Sequence, residues 1–173
     1  MHNQAVKRKR KKRAPFTAAL CILRIQESDK VELHKTLSMF MDEIWNSGDF
    51  TNLEKYVSST YEVIDDPGDQ WNGQSLNHQE FITRVLHSRN AFPDLNFDIQ
   101  EMIEGNDKVA IRWVMSGTHN GDLPLLPATG KPFSISGMTF YYFSNGKLSG
   151  HRQAFDQLGF ITQIEAFGVL ANA

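Results

Sequence analysis

The apolar positions of the chain follow two periods, helical in the first half and alternating in the second. In "SDKVELHKTLSMFMDEIWNSGD", Leu33, Leu37, Phe40, Met41, Ile44 and Trp45 recur at three- and four-residue spacing. That spacing predicts an amphipathic helix with one buried stripe. Asp29 with Glu32 reads as its capping box and Gly48 as its stop. "DFTNLEKYV" predicts a second, short helix, and "TYEVIDD" a strand ended by the turn "DPGD". "NHQEFITRVLHSRNAF" predicts a third helix, capped by Asn77 with Glu80 and burying Phe81, Ile82, Val85 and Leu86. "FPDL" breaks it.

Alternation then takes over. "LNFDIQEMIE", "KVAIRWVMSGTH", "PFSISGMTFYYF" and "KLSGHRQAFD" read as strands. They are separated by "GND", the Gly/Pro-rich "GDLPLLPATGK" and the hairpin turn "SNG". "QLGFITQIEAF" closes as a short helix or a last edge segment. Helices first and antiparallel strands afterwards predict the α+β class. The order is compatible with a strongly curved sheet of roughly four to six strands wrapped around the N-terminal helices, with a pocket on its concave side.

At 173 residues the chain has room for one domain with a proper core. The domain is expected over 28–173, behind a disordered leader over 1–27. Charge sharpens that division. Residues 7–13, "KRKRKKR", hold 7 of the 18 Lys and Arg, which leaves 11 basic against 20 acidic groups elsewhere, a balance of −9. The folded domain therefore offers no basic face to nucleic acid. The basic run itself would attract any polyanion or an import receptor. "APFTAALCIL" is a short apolar run, but Arg24 follows at once, no small-x-small site appears, and Leu20 precedes Cys21. A cytoplasmic protein without a membrane span is expected, since no run approaches the roughly 20 apolar residues a bilayer requires. The single Cys excludes an intramolecular disulfide. The six histidines form no HxH or HExxH grouping, and neither a P-loop nor a dinucleotide fingerprint is present. No metal and no cofactor are expected.

Candidate chemistry gathers in the final hairpin. With Asn145-Gly146 as a two-residue turn, Tyr141, Thr139 and Phe143 share a face with Arg152 and Asp156, while Phe140 and Tyr142 lie opposite with His151, Gln153 and Phe155. One bulge would exchange the faces beyond it. In this register Asp156 is desolvated among aromatic rings and offset by Arg152, a competition that tunes a carboxyl for proton transfer. The rival role for Asp156 is to cap the following helix, accepting from the Gly159 amide. His151 falls at the surface, His119 either anchors its loop or faces the pocket, and His34, His78 and His87 sit on helices without partner spacing.

Phe92-Pro93-Asp94-Leu95, Gly117-Thr118-His119, Pro127 through Thr129-Gly130-Lys131, Gly146-Lys147-Leu148, and Asp156 followed by Leu158-Gly159 occur together and in order. Over roughly residues 30–165 this resembles the SnoaL-like polyketide cyclases of the nuclear transport factor two-like superfamily. The resemblance implies a cone-shaped α+β barrel, often a homodimer, with an apolar pocket between curved sheet and helices. It implies an intramolecular aldol closure of an apolar, carbonyl-containing small molecule without metal or cofactor, with Asp156 as the general acid/base. Arg152, Tyr141, Tyr142, His119, Trp113 and Phe140 are the expected substrate contacts. The chain also departs from the family pattern. Gly150 and Arg152 stand where an acidic residue and a Trp are common. Tyr142 stands near the His of the antibiotic-pathway cyclases, and Asp65-Asp66 where relatives often carry a His. A non-catalytic small-molecule-binding or protein-interaction module is the alternative. A third reading is hydrolysis, as in epoxide hydrolases of the superfamily, which needs an Arg held between two carboxylates. Arg152 and Asp156 supply part of that set.

Overall fold

The first apolar stripe forms helix α1 (Leu33–Phe40), which continues as a wider π-type turn over Met41–Asn46 in the computed structural model, where residues 32–124 and 126–166 are described. All six stripe residues are buried, as their spacing predicts. Glu32 stands at the N-cap without a side-chain hydrogen bond. Asp29, the basic run and "APFTAALCIL" lie outside the described residues. Gly48 ends the segment at φ 69°, the left-handed region that favours glycine. Helix α2 (Leu53–Tyr56) is shorter than predicted, because Val57 already pairs with Leu148 in strand β1 (Val57–Asp65).

After β2 (Ser75–Leu76), helix α3 (His78–Ala91) carries the predicted capping box. The Asn77 side chain accepts the Glu80 amide at 3.0 Å, and the Glu80 carboxylate accepts the Asn77 amide at 2.8 Å. Its buried face departs from the prediction. Phe81, Arg84, Val85 and Ala91 point inward, whereas Leu86 is 42% exposed. A buried guanidinium needs partners, and these define the site described below.

The remaining strands are β3 (Asn96–Glu104), β4 (Lys108–Thr118), β5 (Pro132–Ser144) and β6 (Lys147–Phe155), followed by helix α4 (Gln157–Gln163). One six-stranded sheet has the order β2-β1-β6-β5-β4-β3, antiparallel throughout except where β1 runs parallel to β6. The sheet is curved but unclosed, an open cone and not a barrel, since β2 and β3 remain as edges. Its concave side packs on α1 and α3 through an aromatic layer. Tyr61 meets Phe81 edge-on at 4.8 Å, and Phe40 meets Phe81 at 6.0 Å and Tyr141 at 6.1 Å. Among the described residues no helix is long and apolar enough to cross a membrane.

Strand β5 alternates cleanly. Phe133, Ile135, Thr139, Tyr141 and Phe143 face inward; Ser134, Ser136, Met138 and Phe140 face out. Gly137 is the one inward position of this strand without a side chain, and the Trp113 indole lies across it. A Cβ at 137 would overlap that ring and sit 2.9 Å from the Ala154 carbonyl oxygen. Gly137→Ala is therefore expected to cost about 1–3 kcal/mol by overpacking. Urea unfolding checks this: the midpoint should fall at unchanged slope.

Candidate functional site

The final hairpin turns where predicted, with Asn145 and Gly146 both at positive φ, 51° and 75°. Ser144 pairs with Lys147 and Phe143 with Leu148, but then Tyr142 pairs with Gly150, Tyr141 with His151 and Thr139 with Gln153. Ser149 is thus an extra residue in β6, and this bulge exchanges the strand's two faces from that point. His151, Gln153 and Phe155 turn toward the concave side; Arg152, Ala154 and Asp156 turn outward.

The expected register is corrected accordingly. His151 is 2% exposed, not a surface residue. Asp156 is exposed, and its Oδ1 accepts the Gly159 amide at 2.7 Å as the N-cap of α4. It borders an open depression on the convex face beside Arg112, Ser136 and Met138, and is not brought to Tyr141 or Arg152. Arg152 is solvent-exposed, 3.7 Å from Asp65. Phe140 is exposed on the convex face, and half-buried Tyr142 packs beside Lys108. Tyr141 is a core residue whose hydroxyl reaches the Met41 sulfur at 3.5 Å. His119 is fully buried and its Nδ1 receives the Thr129 amide at 3.3 Å, fastening the loop over 119–131; burial lowers its pKa. Of the expected contacts, Trp113 lines the main cavity.

That cavity, of about 610 Å³, opens between the concave sheet and α3. Trp45, Trp71, Trp113, Phe97, Phe155 and Phe160 wall it, and Asp66, Asp69, Arg84 and Gln153 form a polar floor. Arg84 comes from α3, Gln153 from β6, and the two carboxylates from "DDPGD" after β1. Arg84 donates from Nη2 to Asp66 Oδ2 at 2.9 Å and from Nε to Asp69 Oδ2 at 2.8 Å. Its guanidinium lies 5.3 Å over the Trp45 ring. The Trp71 amide donates to Asp69 Oδ1 at 2.7 Å, fixing the second carboxylate. Arg84 Nη1 has no hydrogen-bond partner among the described residues, so two N–H groups are left for a ligand.

The surrounding hydrogen bonds have a fixed direction. Trp113 Nε1 can only donate, and it donates to Thr139 Oγ1 at 2.8 Å. The Thr139 hydroxyl donates to Gln153 Oε1 at 2.9 Å, so the Gln153 amide group donates to Asp66 Oδ1 at 3.2 Å. From the other side, the ionised Asp66 carboxylate can only accept, so the His151 proton sits on Nε2 and points at Asp66 Oδ2, 3.1 Å away. His151 Nδ1 is then the acceptor, and the Tyr61 hydroxyl, whose pKa burial pushes well above its ordinary value, donates to it at 3.0 Å. The 3.4 Å approach of Arg84 Nη2 to that nitrogen brings together two donors sharing one carboxylate. Burial alone would raise the Asp66 pKa. The hydrogen bond from His151 and the charge of Arg84 outweigh it and hold the carboxyl below its ordinary value. Burial lowers the His151 pKa, so the ring is neutral at pH 7. Two carboxylates and one guanidinium leave the floor with one formal negative charge. Among the described residues no three His, Cys, Asp or Glu side chains are grouped to hold a metal ion.

The family model for SnoaL-like polyketide cyclases matches residues 35–164. Among solved structures, a candidate polyketide cyclase from Acidithiobacillus ferrooxidans is 38% identical with a TM-score of 0.72, covering 79% of this chain and 96% of its own. TsrD from Streptomyces laurentii is 20% identical with a TM-score of 0.68, over 80% of this chain and 98% of its own. A SnoaL-like polyketide cyclase from Agrobacterium tumefaciens is 19% identical with a TM-score of 0.65, over 76% and 97%. These last two share the fold. No curated protein matches the chain.

Proposed function

The chain belongs to the SnoaL-like polyketide cyclase family, and on that premise we propose that it is a cofactor-independent cyclase or isomerase acting on an apolar carbonyl compound, with Asp66 as its general acid/base. The observation that carries this reading is a carboxylate 2% exposed, on the floor of an aromatic-walled cavity, gripped by an arginine with donors to spare. A substrate carbonyl accepts from Arg84 Nη1. Asp66 Oδ1, whose only donor among the described residues is Gln153, takes the proton from the carbon between two carbonyls. The enolate charge develops against the guanidinium in a site shielded from water, where such stabilisation is largest. The aromatic walls fold the chain so that this carbon attacks a ketone and the C–C bond closes. A carboxyl held below its ordinary pKa is a weak base and a strong acid, so enolate binding by Arg84 must supply much of the driving force.

Benzoylacetone in deuterated buffer provides the test. The protein is expected to accelerate exchange of the central methylene proton at least about 100-fold over buffer, the lower end of general acid/base contributions. No acceleration at saturating protein would sink the proposal.

A second reading is favoured by one observation. Arg84 sits between Asp66 and Asp69, which is the set that superfamily epoxide hydrolysis requires and that Arg152 with Asp156 did not complete. There the carboxylates would activate a water and protonate the epoxide oxygen. Opening of styrene oxide with incorporation of isotopically labelled water, without proton exchange on the diketone, would select it.

A further inference from the structure

Helix α3 sends Arg84, His87 and Ser88 into the cavity from a single face. Arg84 is committed to its two carboxylates. His87 is not committed to any polar partner. Among the described residues neither of its ring nitrogens has a hydrogen bond, and its ring packs edge-on against Trp71, with centroids 5.5 Å apart and planes at 75°. Trp71 belongs to the turn that Asp69 fixes through the Trp71 amide. The imidazole is thereby oriented by a wall of the cavity while its nitrogens stay available. Along α3 it stands three residues beyond Arg84, a rise of about 4.5 Å. A substrate whose activated carbonyl rests on Arg84 extends from there past His87.

The reaction proposed above needs two proton transfers at two places, one at the carbon beside Arg84 and one at the oxygen of the attacked ketone. Asp66 is enclosed by donors from Arg84, His151 and Gln153 and serves the first. We propose that His87 is a further catalytic residue, the general acid that protonates the ketone oxygen as the ring closes. As the C–H bond breaks, its proton forms the O–H bond on Asp66. As the C–C bond forms, the ketone π pair moves onto oxygen, which takes the proton from the His87 nitrogen. Asp66 then returns its proton to His87 through water, and both groups are reset with no net gain or loss. Imidazole suits the second role because it is the side chain that exchanges protons most readily near neutral pH.

This assignment rests on the aldol reading of the site, and two readouts separate them. The probe is a linear aryl triketone whose doubly activated methylene can close a six-membered ring onto a remote ketone. Deuterium exchange at the methylene reports proton abstraction, and the cyclic product reports closure. His87→Gln is expected to keep exchange within about twofold of wild type while closure falls at least about 100-fold. His87→Phe, which preserves the ring contact with Trp71, should show the same split. Equal loss of exchange and closure in His87→Gln, with both regained in His87→Phe, would reduce His87 to a support for Trp71. Closure unchanged in both variants overturns the assignment. A wild-type protein that exchanges the proton without closing the ring overturns it too, and one that does neither overturns the underlying reading as well.

Discussion

Asp66→Asn is expected to abolish proton abstraction, by about a thousandfold or more, whereas Asp156→Asn leaves it within about twofold of wild type. An amide at 66 cannot take the proton, and its NH2 group must face either Arg84 with His151 or Gln153, donors in both orientations. The floor then carries no net charge, and the diketone C–H loses its proton acceptor while the guanidinium that would stabilise the enolate remains. Diketone binding should survive, since Arg84 and the aromatic walls are unchanged, so the loss belongs to the rate and not to the Michaelis constant. At 156 the structure calls for a cap. Asn caps as well as Asp, so helix α4 persists in Asp156→Asn, while Asp156→Ala should cost about 0.5–2 kcal/mol of stability. Exchange measured on purified variants, with folding checked by circular dichroism, decides between the two carboxylates. The reverse pattern, an active Asp66→Asn and an inactive Asp156→Asn, would return the chemistry to the convex side of β6.

The sequence pointed to Asp156 by family resemblance and by strand register, and the register departs from the structure at one residue. Period-two alternation identified β5 and β6, the Asn-Gly turn and the first two cross-strand pairs correctly. A bulge leaves no mark in alternation, because Ser149 is as acceptable in a pleated strand as beside one. Every assignment beyond it, including inward Arg152 and outward His151, therefore inverted together. The helices were legible because long apolar stripes and capping residues act locally, as Leu33 to Trp45 and Asn77 with Glu80 show. Arg84 was hidden for the opposite reason. Flanked by Phe81 and Val85 on a buried face, it reads as an interruption of the stripe, and only the fold shows which carboxylates bring it inside. The one local sign was "DDPGD", in which a turn closed by Pro and Gly concentrates acid just after a strand. Family resemblance marked Asp65-Asp66 as a departure, and Asp66 of that pair lies on the cavity floor.

Arg84→Met should destabilise the fold by about 3–5 kcal/mol near neutral pH, the cost of leaving a buried charge without its partner. Methionine fills the aliphatic part of the arginine site, so the loss reports charge more than packing. In the wild type the Asp66 pKa in the folded state lies below the unfolded value. Its contribution to stability is therefore present above the unfolded pKa and disappears as pH falls through the folded one. In the variant the charge of Arg84 is gone, and less is left to oppose the effect of burial on Asp66. The Asp66 pKa in the folded state then rises relative to wild type, so the penalty shrinks as falling pH protonates that carboxyl. His151 acts in the same sense. Arg84 no longer opposes its protonation, and a charged imidazole between Tyr61 and Asp66 would replace part of the missing cation. The gap between wild type and Arg84→Met should accordingly narrow on going from pH 7.5 to about 5, as read from urea midpoints at each pH. Adding Asp66→Asn to Arg84→Met should recover part of the loss at pH 7.5, because the two residues share one ion pair and their effects do not add. A gap that stays constant or widens on acidification would mean that Arg84 supports the fold through packing against Trp45 and not through the charges it holds between β1 and α3.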